Sequence, residues 1–137
     1  MNIYVASSWH NSFHPDVVGA LRSYGHIVYD FKDSDGFSWE EIDVNWKAWP
    51  PQRYLEGLGH QAALRGFGRD MSALKHCEAC VMVMPCGVSA SLELGWAVGA
   101  GKRTAVYVPA LREPDLMVKM ADFITCSIAE LVSWANY

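Results

Sequence analysis

The run Ala79-Cys80-Val81-Met82-Val83-Met84 carries no charged or amide side chain on either of its alternating faces. A strand of this kind has to be covered on both sides, as in a parallel sheet with helices on each face. It is followed by Pro85-Cys86-Gly87 and then by Ser89-Ala90-Ser91-Leu92-Glu93-Leu94-Gly95-Trp96-Ala97, a helix opening with small residues. Strand, glycine-containing loop and helix, in that order, place Glu93 at the C-terminal edge of a sheet, where open α/β folds bind their ligands. A carboxylate one turn into a helix of Ala, Leu, Gly and Trp is hard to explain as surface decoration. Glu93 is therefore the first candidate for chemistry.

The rest of the chain repeats that alternation. Asn2–Ser7 reads as a first strand, and Pro15 opens a helix that stops at Gly25. A second strand spans His26–Phe31. Ser38 and Glu41 have capping-box spacing and open a short helix running to about Trp49, where Pro50-Pro51 breaks it. Gln52–His76 is helical, in two pieces, because Gly57, Gly59, Gly66 and Gly68 weaken it. After the strand Ala79–Met84, a helix over Ala90–Ala100 ends at Gly101. Thr104–Pro109 is a fourth strand, Pro114–Met120 a short helix and Phe123–Cys126 a fifth strand. Ser127 and Glu130 form a second capping box for the last helix. Alternating strands and helices predict an α/β chain with a parallel sheet covered on both faces. Five strands suggest a flavodoxin-like or Rossmann-like three-layer fold in the order 2-1-3-4-5, its crevice between the first and third strands.

The 137 residues are read as one domain, 1–137, with a Trp-rich insertion over 33–54. That insertion sets Trp39, Trp46 and Trp49, with Phe37 and Tyr54, beside Glu40, Glu41 and Asp43. It reads equally as a lid that stacks on a flat ring, with Trp39 and Asp43 meeting the ligand, and as an extra helix plugging the sheet edge or a dimer interface.

A formal charge of -4 argues against nucleic-acid polymers, which need a basic footprint. No apolar stretch reaches the roughly 18 residues of a membrane span, and the N-terminus lacks the regions of a signal peptide. The expected setting is the cytoplasm, with no membrane partner. Cys77 and Cys80 form a C-x-x-C where a helix ends and a strand begins, the reverse of the usual redox arrangement. No second pair completes a zinc site, so reduced, buried cysteines and no metal are expected.

Three elements converge on the predicted crevice. The first strand brings Tyr4 and Ser7 with Ser8, the long helix brings Asp70, and the loop after the third strand brings Gly87, Ser89, Ser91 and Glu93. Two carboxylates and a tyrosine, without metal ligands or a Ser-His pair, suit attack at a sugar's anomeric carbon through an oxocarbenium-like transition state. Each residue also has a plainer explanation. Glu93 sits near a helix N-terminus, where the macrodipole favours acids. Asp70 has Arg69 and Lys75 within reach along the chain, Tyr4 suits a strand core, and Ser89 and Ser91 suit caps. His10 and His14 straddle a loop and a helix start, so they serve better as polar groups near a pocket mouth than as metal ligands.

Tyr4-Val5-Ala6-Ser7-Ser8, Phe67-Gly68-Arg69-Asp70, Ser89 to Gly95 with its Glu-Leu-Gly, and Ala100-Gly101-Lys102-Arg103-Thr104 together resemble the nucleoside 2-deoxyribosyltransferases. The related 2'-deoxynucleoside 5'-phosphate N-hydrolases match in the same places. The resemblance implies an enzyme cleaving the N-glycosidic bond of 2'-deoxynucleosides and passing the sugar to another nucleobase or to water. By the same resemblance Glu93 is the nucleophile forming a covalent deoxyribosyl-enzyme, Asp70 assists the leaving base or contacts the sugar, and Tyr4 orients the nucleophile. It further implies no cofactor, small-molecule nucleosides or nucleotides and free bases as partners, and a homodimer or larger assembly. In one place the chain departs from the pattern. Gly87 stands where many transferases carry an acid for the sugar's 5' end, with Ser89 and Ser91 close by, so hydroxyl and 5'-phosphate both remain open. Two readings of other classes also stand: a nucleotide-sensing module without catalysis, and a TIR-like NAD glycohydrolase.

Overall fold

The computed structural model describes residues 1–33 and 36–137, so Ser34 and Asp35 of the Trp-rich segment lie outside the described residues. The described chain falls into two compact units, Met1–Asp30 with His76–Tyr137, and Phe31–Lys75.

The first unit is built on five parallel strands among the described residues: β1 (Asn2–Ala6), β2 (Ile27–Asp30), β3 (Ala79–Val83), β4 (Arg103–Tyr107) and β5 (Phe123–Thr125). Their order is β2-β1-β3-β4-β5, as the alternation predicts. β1 pairs on both sides, with Tyr4 opposite Tyr29 on β2 and opposite Cys80 on β3. The register sorts the side chains by face, because successive residues of a strand point to opposite sides. Ile3, Val5, Ala79, Val81, Val83 and Ala105 form one core with Val17, Val18 and Leu21 of α1 (His14–Ser23) and Leu131 and Val132 of α5 (Ile128–Ala135). Tyr4, Cys80 and Met82 face the other way and are also buried. On that side lies α4 (Val88–Gly99), which packs against β1, β3 and β4 through the buried residues Ala90, Leu94 and Ala97. Helix, sheet and helix make the three-layer α/β arrangement.

α1 and α4 both end in glycine with positive φ, Gly25 at 88° and Gly101 at 76°. Only glycine takes that conformation without a Cβ penalty, and it releases the chain into β2 and β4. α5 opens as Ser127 predicts, its hydroxyl accepting from the Glu130 N–H at 3.3 Å. The reciprocal half of that box is absent. The Glu130 carboxylate accepts instead from the Thr125 hydroxyl, and Thr125 in turn accepts from the Ser127 N–H.

The second unit carries α2 (Pro51–Leu58) and α3 (Gln61–His76), whose last residue begins the return to the sheet. The division into two pieces is as expected, and it falls at Gly59 and His60. The helix predicted from Ser38 to Trp49 is instead two short 3-10 turns, Trp39–Glu41 and Trp46–Ala48. The carboxylate of Asp43 accepts from the Asn45 N–H at 2.9 Å and from the Trp49 indole N–H at 2.8 Å. A side chain that competes in this way for backbone donors interrupts a helix. The Ser38 end behaves as its motif implies, with the Ser38 N–H donating to the Glu41 carboxylate at 2.9 Å.

An aromatic cluster holds this unit together. Trp39 meets Phe37, Trp49 and Tyr54 edge-on, with ring centroids 4.9, 5.7 and 6.0 Å away. The glycines that weaken the helices are what let the rings in. A Cβ on Gly57 would lie 2.7 Å from the Trp49 ring, and one on Gly66 would lie 2.6 Å from Phe37 Cβ.

Candidate active site

Tyr4 and Glu93 are 89 residues apart in sequence, and the fold brings them into direct contact: the buried Tyr4 hydroxyl donates a hydrogen bond to the half-buried Glu93 carboxylate. The Tyr4 ring is itself held by stacking on Tyr29, centroids 5.1 Å apart and 21° between planes. Glu93 is the sixth residue of α4, counted from Val88. The helix dipole acts mainly within the first turn. It therefore does not account for an acid at this place, and the first turn of α4 holds no acid.

A second set of contacts ties the ends of β1 and β3 together at the crevice. The Ser7 hydroxyl donates to the Val83 carbonyl at 2.9 Å. Asn11, only 7% exposed, donates to the carbonyls of Val83 at 3.2 Å and Pro85 at 2.9 Å. Its own carbonyl oxygen accepts from the N–H groups of Phe13 at 2.7 Å and His14 at 3.1 Å, which opens α1. Asn11 is thus a positioning residue that sequence reading passes over. Its signal was an Asx-turn residue three positions before the helix start at His14. Gly87 is the N-cap of α4, and its N–H donates to the Ser8 hydroxyl at 2.9 Å. Ser91 returns its hydroxyl to the Gly87 carbonyl at 3.1 Å, and Ser89 is exposed in the first turn. Neither serine caps the helix, because α4 starts at Val88, before both.

The other candidates belong to the second unit. Asp70 is half-buried on α3. Trp39 is the hub of the aromatic cluster. Asp43 is held below the usual carboxylate range, first by the Trp49 indole and then by the Asn45 N–H. His14 is fully buried at the head of α1, with Nε2 3.8 Å from Asp30 Oδ1, and so does not stand at a pocket mouth.

Among the described residues no disulfide joins the cysteines, and Cys77 and Cys80 are buried. Burial pushes the Cys80 thiol well above its usual range, and the neighbouring Cys77 and the charge of Glu93 push it the same way. Burial also raises Cys77 and Cys86. Thiols in this state are poor nucleophiles and poor metal ligands. Among the described residues no group of three or more His, Cys, Asp and Glu is placed to hold a metal ion. No helix among them is long and apolar enough to cross a membrane.

No family model and no curated protein matches the chain. Solved structures do. The chain is similar to a 2-deoxyribosyltransferase from the psychrotolerant bacterium Bacillus psychrosaccharolyticus, with 18% identity, 100% of this chain and 92% of that one covered, and a TM-score of 0.67. It is also similar to the CMP N-glycosidase BcmB of Clostridium botulinum, with 13% identity, 100% of each chain covered, and a TM-score of 0.56. At these identities the likeness speaks for architecture alone, and it covers the whole chain. The chain therefore has the nucleoside 2-deoxyribosyltransferase fold.

Proposed function

We propose that the protein cleaves the N-glycosidic bond of 2'-deoxynucleosides, with Glu93 as the nucleophile. The observation that carries this reading is the hydrogen bond from the buried Tyr4 hydroxyl to the Glu93 carboxylate. A donor fixed by strand and ring stacking holds one carboxylate oxygen, so the other is aimed rather than free to rotate. A Glu oxygen then adds to C1' as the C1'–N bond breaks, and the bonding pair leaves on the base nitrogen, which takes up a proton. Asp70 is assigned to that proton by sequence resemblance. A second base or a water then attacks C1', gives up a proton and releases the carboxylate. The sequence resemblance and the shared fold support the same chemistry, and neither calls for a cofactor.

A 5'-monophosphate is the second substrate reading, and α4 favours it. Its first turn carries no acid, and the exposed Gly87 and Ser89 stand at an N-terminus where a phosphate is welcome. The resemblance implies a homodimer or a larger homo-oligomer, and we further propose that the chain self-associates. Val88, Leu92 and Trp96 form a stripe on α4 and are 76%, 68% and 37% exposed, which suits burial against a second copy.

The test is to incubate the protein with deoxynucleosides, their 5'-monophosphates and NAD, with and without an acceptor base, and to separate the products by chromatography. Free base from a deoxy substrate, lost in Glu93→Ala, is the expected result. Nicotinamide release would point to the TIR-like reading, and binding without turnover to the sensor.

A further inference from the structure

Tyr4 is 0% exposed although β1 lies next to β2, which is an edge of the sheet among the described residues. Successive strand residues point to opposite faces. Val28 joins Ile3 and Val5 in the core beneath α1 and α5, so its neighbour Tyr29 stands with Tyr4 on the face that carries α4. α4 packs against β1, β3 and β4, and the register partner of Tyr4 on β3 is the buried Cys80. On the β2 side the Tyr4 ring meets the ring of Tyr29, centroids 5.1 Å apart and 21° between planes. That separation lies within the roughly 4.5–7 Å of favourable aromatic pairs.

The stack matters because of what it aims. A tyrosine hydroxyl stands at the far end of its side chain, so a small rotation about the Cα–Cβ bond sweeps it through a wide arc. Strand pairing of β1 fixes the Cα and leaves that rotation open. A flat partner against the ring closes it, and the hydroxyl is then held on the Glu93 carboxylate. Ordinary packing asks for less. Tyr29 is half-buried on an edge strand, where valine would fill the place and suit the strand as well. Volume alone does not set the plane of the Tyr4 ring.

We propose that Tyr29 is a positioning residue for the reacting carboxylate: its ring fixes the Tyr4 ring, and through the Tyr4 hydroxyl it holds the direction of Glu93. The inference rests on the reading of Glu93 as the group that attacks the sugar. Tyr29 acts on the substrate only through this chain of two contacts.

The test compares Tyr29→Leu and Tyr29→Val, which remove the ring, with Tyr29→Phe, which keeps it, in the full chain, with circular dichroism as the check on folding. In base-release assays with a deoxynucleoside, kcat should fall about 3- to 10-fold in the first two, the size of one lost aromatic pair, with KM unchanged. Tyr29→Phe should keep the parent rate. Added to Tyr4→Phe, Tyr29→Leu should cost nothing further in kcat, because its route to Glu93 is already cut, whereas a purely structural loss would add. A second readout needs no activity. The proton NMR signal of the Tyr4 hydroxyl, identified by its loss in Tyr4→Phe, should exchange with water about 3- to 10-fold faster in Tyr29→Leu and at the parent rate in Tyr29→Phe, since exchange requires the bond to Glu93 to open. Were the parent chain to release no base, the Glu93 reading would fall, and the hydroxyl exchange would still decide whether Tyr29 holds Tyr4. An additive kcat loss, a Tyr29→Phe protein as slow as Tyr29→Leu, or hydroxyl exchange unchanged in both ring-less proteins would each overturn the inference.

Discussion

Glu93 gains its meaning from one partner. As the sixth residue of a largely apolar helix it is too far in for the dipole to account for it, and the Tyr4 hydroxyl supplies the reason instead. A hydrogen bond to a charged group contributes about 1.5–3 kcal/mol. If Tyr4 orients the nucleophile, Tyr4→Phe should slow base release about 10- to 100-fold while leaving the protein folded. Glu93→Gln keeps the shape and removes the charge, and steady-state assays should find it near the uncatalysed rate. A Tyr4→Phe protein with unchanged kcat would show that the hydroxyl only fills space. Asp43 offers a second test at this scale. Its carboxyl is held low first by the Trp49 indole, so the ionised form is the bonded one. Its contribution is complete above the ordinary carboxylate range and is lost as pH falls through the depressed value. Tryptophan fluorescence should therefore change below that range, and Asp43→Asn should remove the transition.

Elements depend on contacts that their own sequences conceal. Asn11 opens α1 and also ties down the carbonyls of Val83 and Pro85. Removing a cap costs about 1 kcal/mol, and the Pro85 carbonyl left without this donor adds a comparable loss, whereas Val83 keeps the Ser7 hydroxyl. Asn11→Ala should cost about 2 kcal/mol, lowering Tm by several degrees in a thermal melt. The glycines of α3 make a matched pair. Ala is favoured over Gly by about 1 kcal/mol in a helix interior, and at Gly68 nothing lies within 4 Å of an added Cβ. Gly68→Ala should stabilise the protein by up to about 1 kcal/mol. At Gly66 the Cβ would meet Phe37 Cβ, which cannot swing aside without moving its backbone. Overpacking costs about 1–3 kcal/mol, so Gly66→Ala should be a net loss. Two melts decide it, and equal shifts would contradict the packing described.

For the whole molecule, the expected self-association is open to sedimentation analysis. The pair Leu92→Glu and Trp96→Glu should give a monomer with an unchanged circular dichroism spectrum. The sheet order was legible because apolar runs of strand length, punctuated by helix stops at Gly25 and Gly101, leave few right-handed ways to lay parallel strands side by side. The candidate site was legible one residue at a time: Tyr4, Glu93, Ser8 and Gly87 each stood out by type and place. The resemblance implied that Tyr4 orients Glu93, but most of who meets whom could not be read. No local pattern says that Asn11 rather than Ser89 or Ser91 secures the crevice, or that Gly66 is a socket for Phe37. The stretch after Ser38 misled for the same reason, since its helix signal is local and the bond from Trp49 to Asp43 is not. Periodicity and capping are short-range properties written along the chain, so sequence alone determined the layers, the strand order and the helix that carries the acid. Pairings across tens of residues depend on which side chains the closed sheet brings together, and those only the tertiary structure decided.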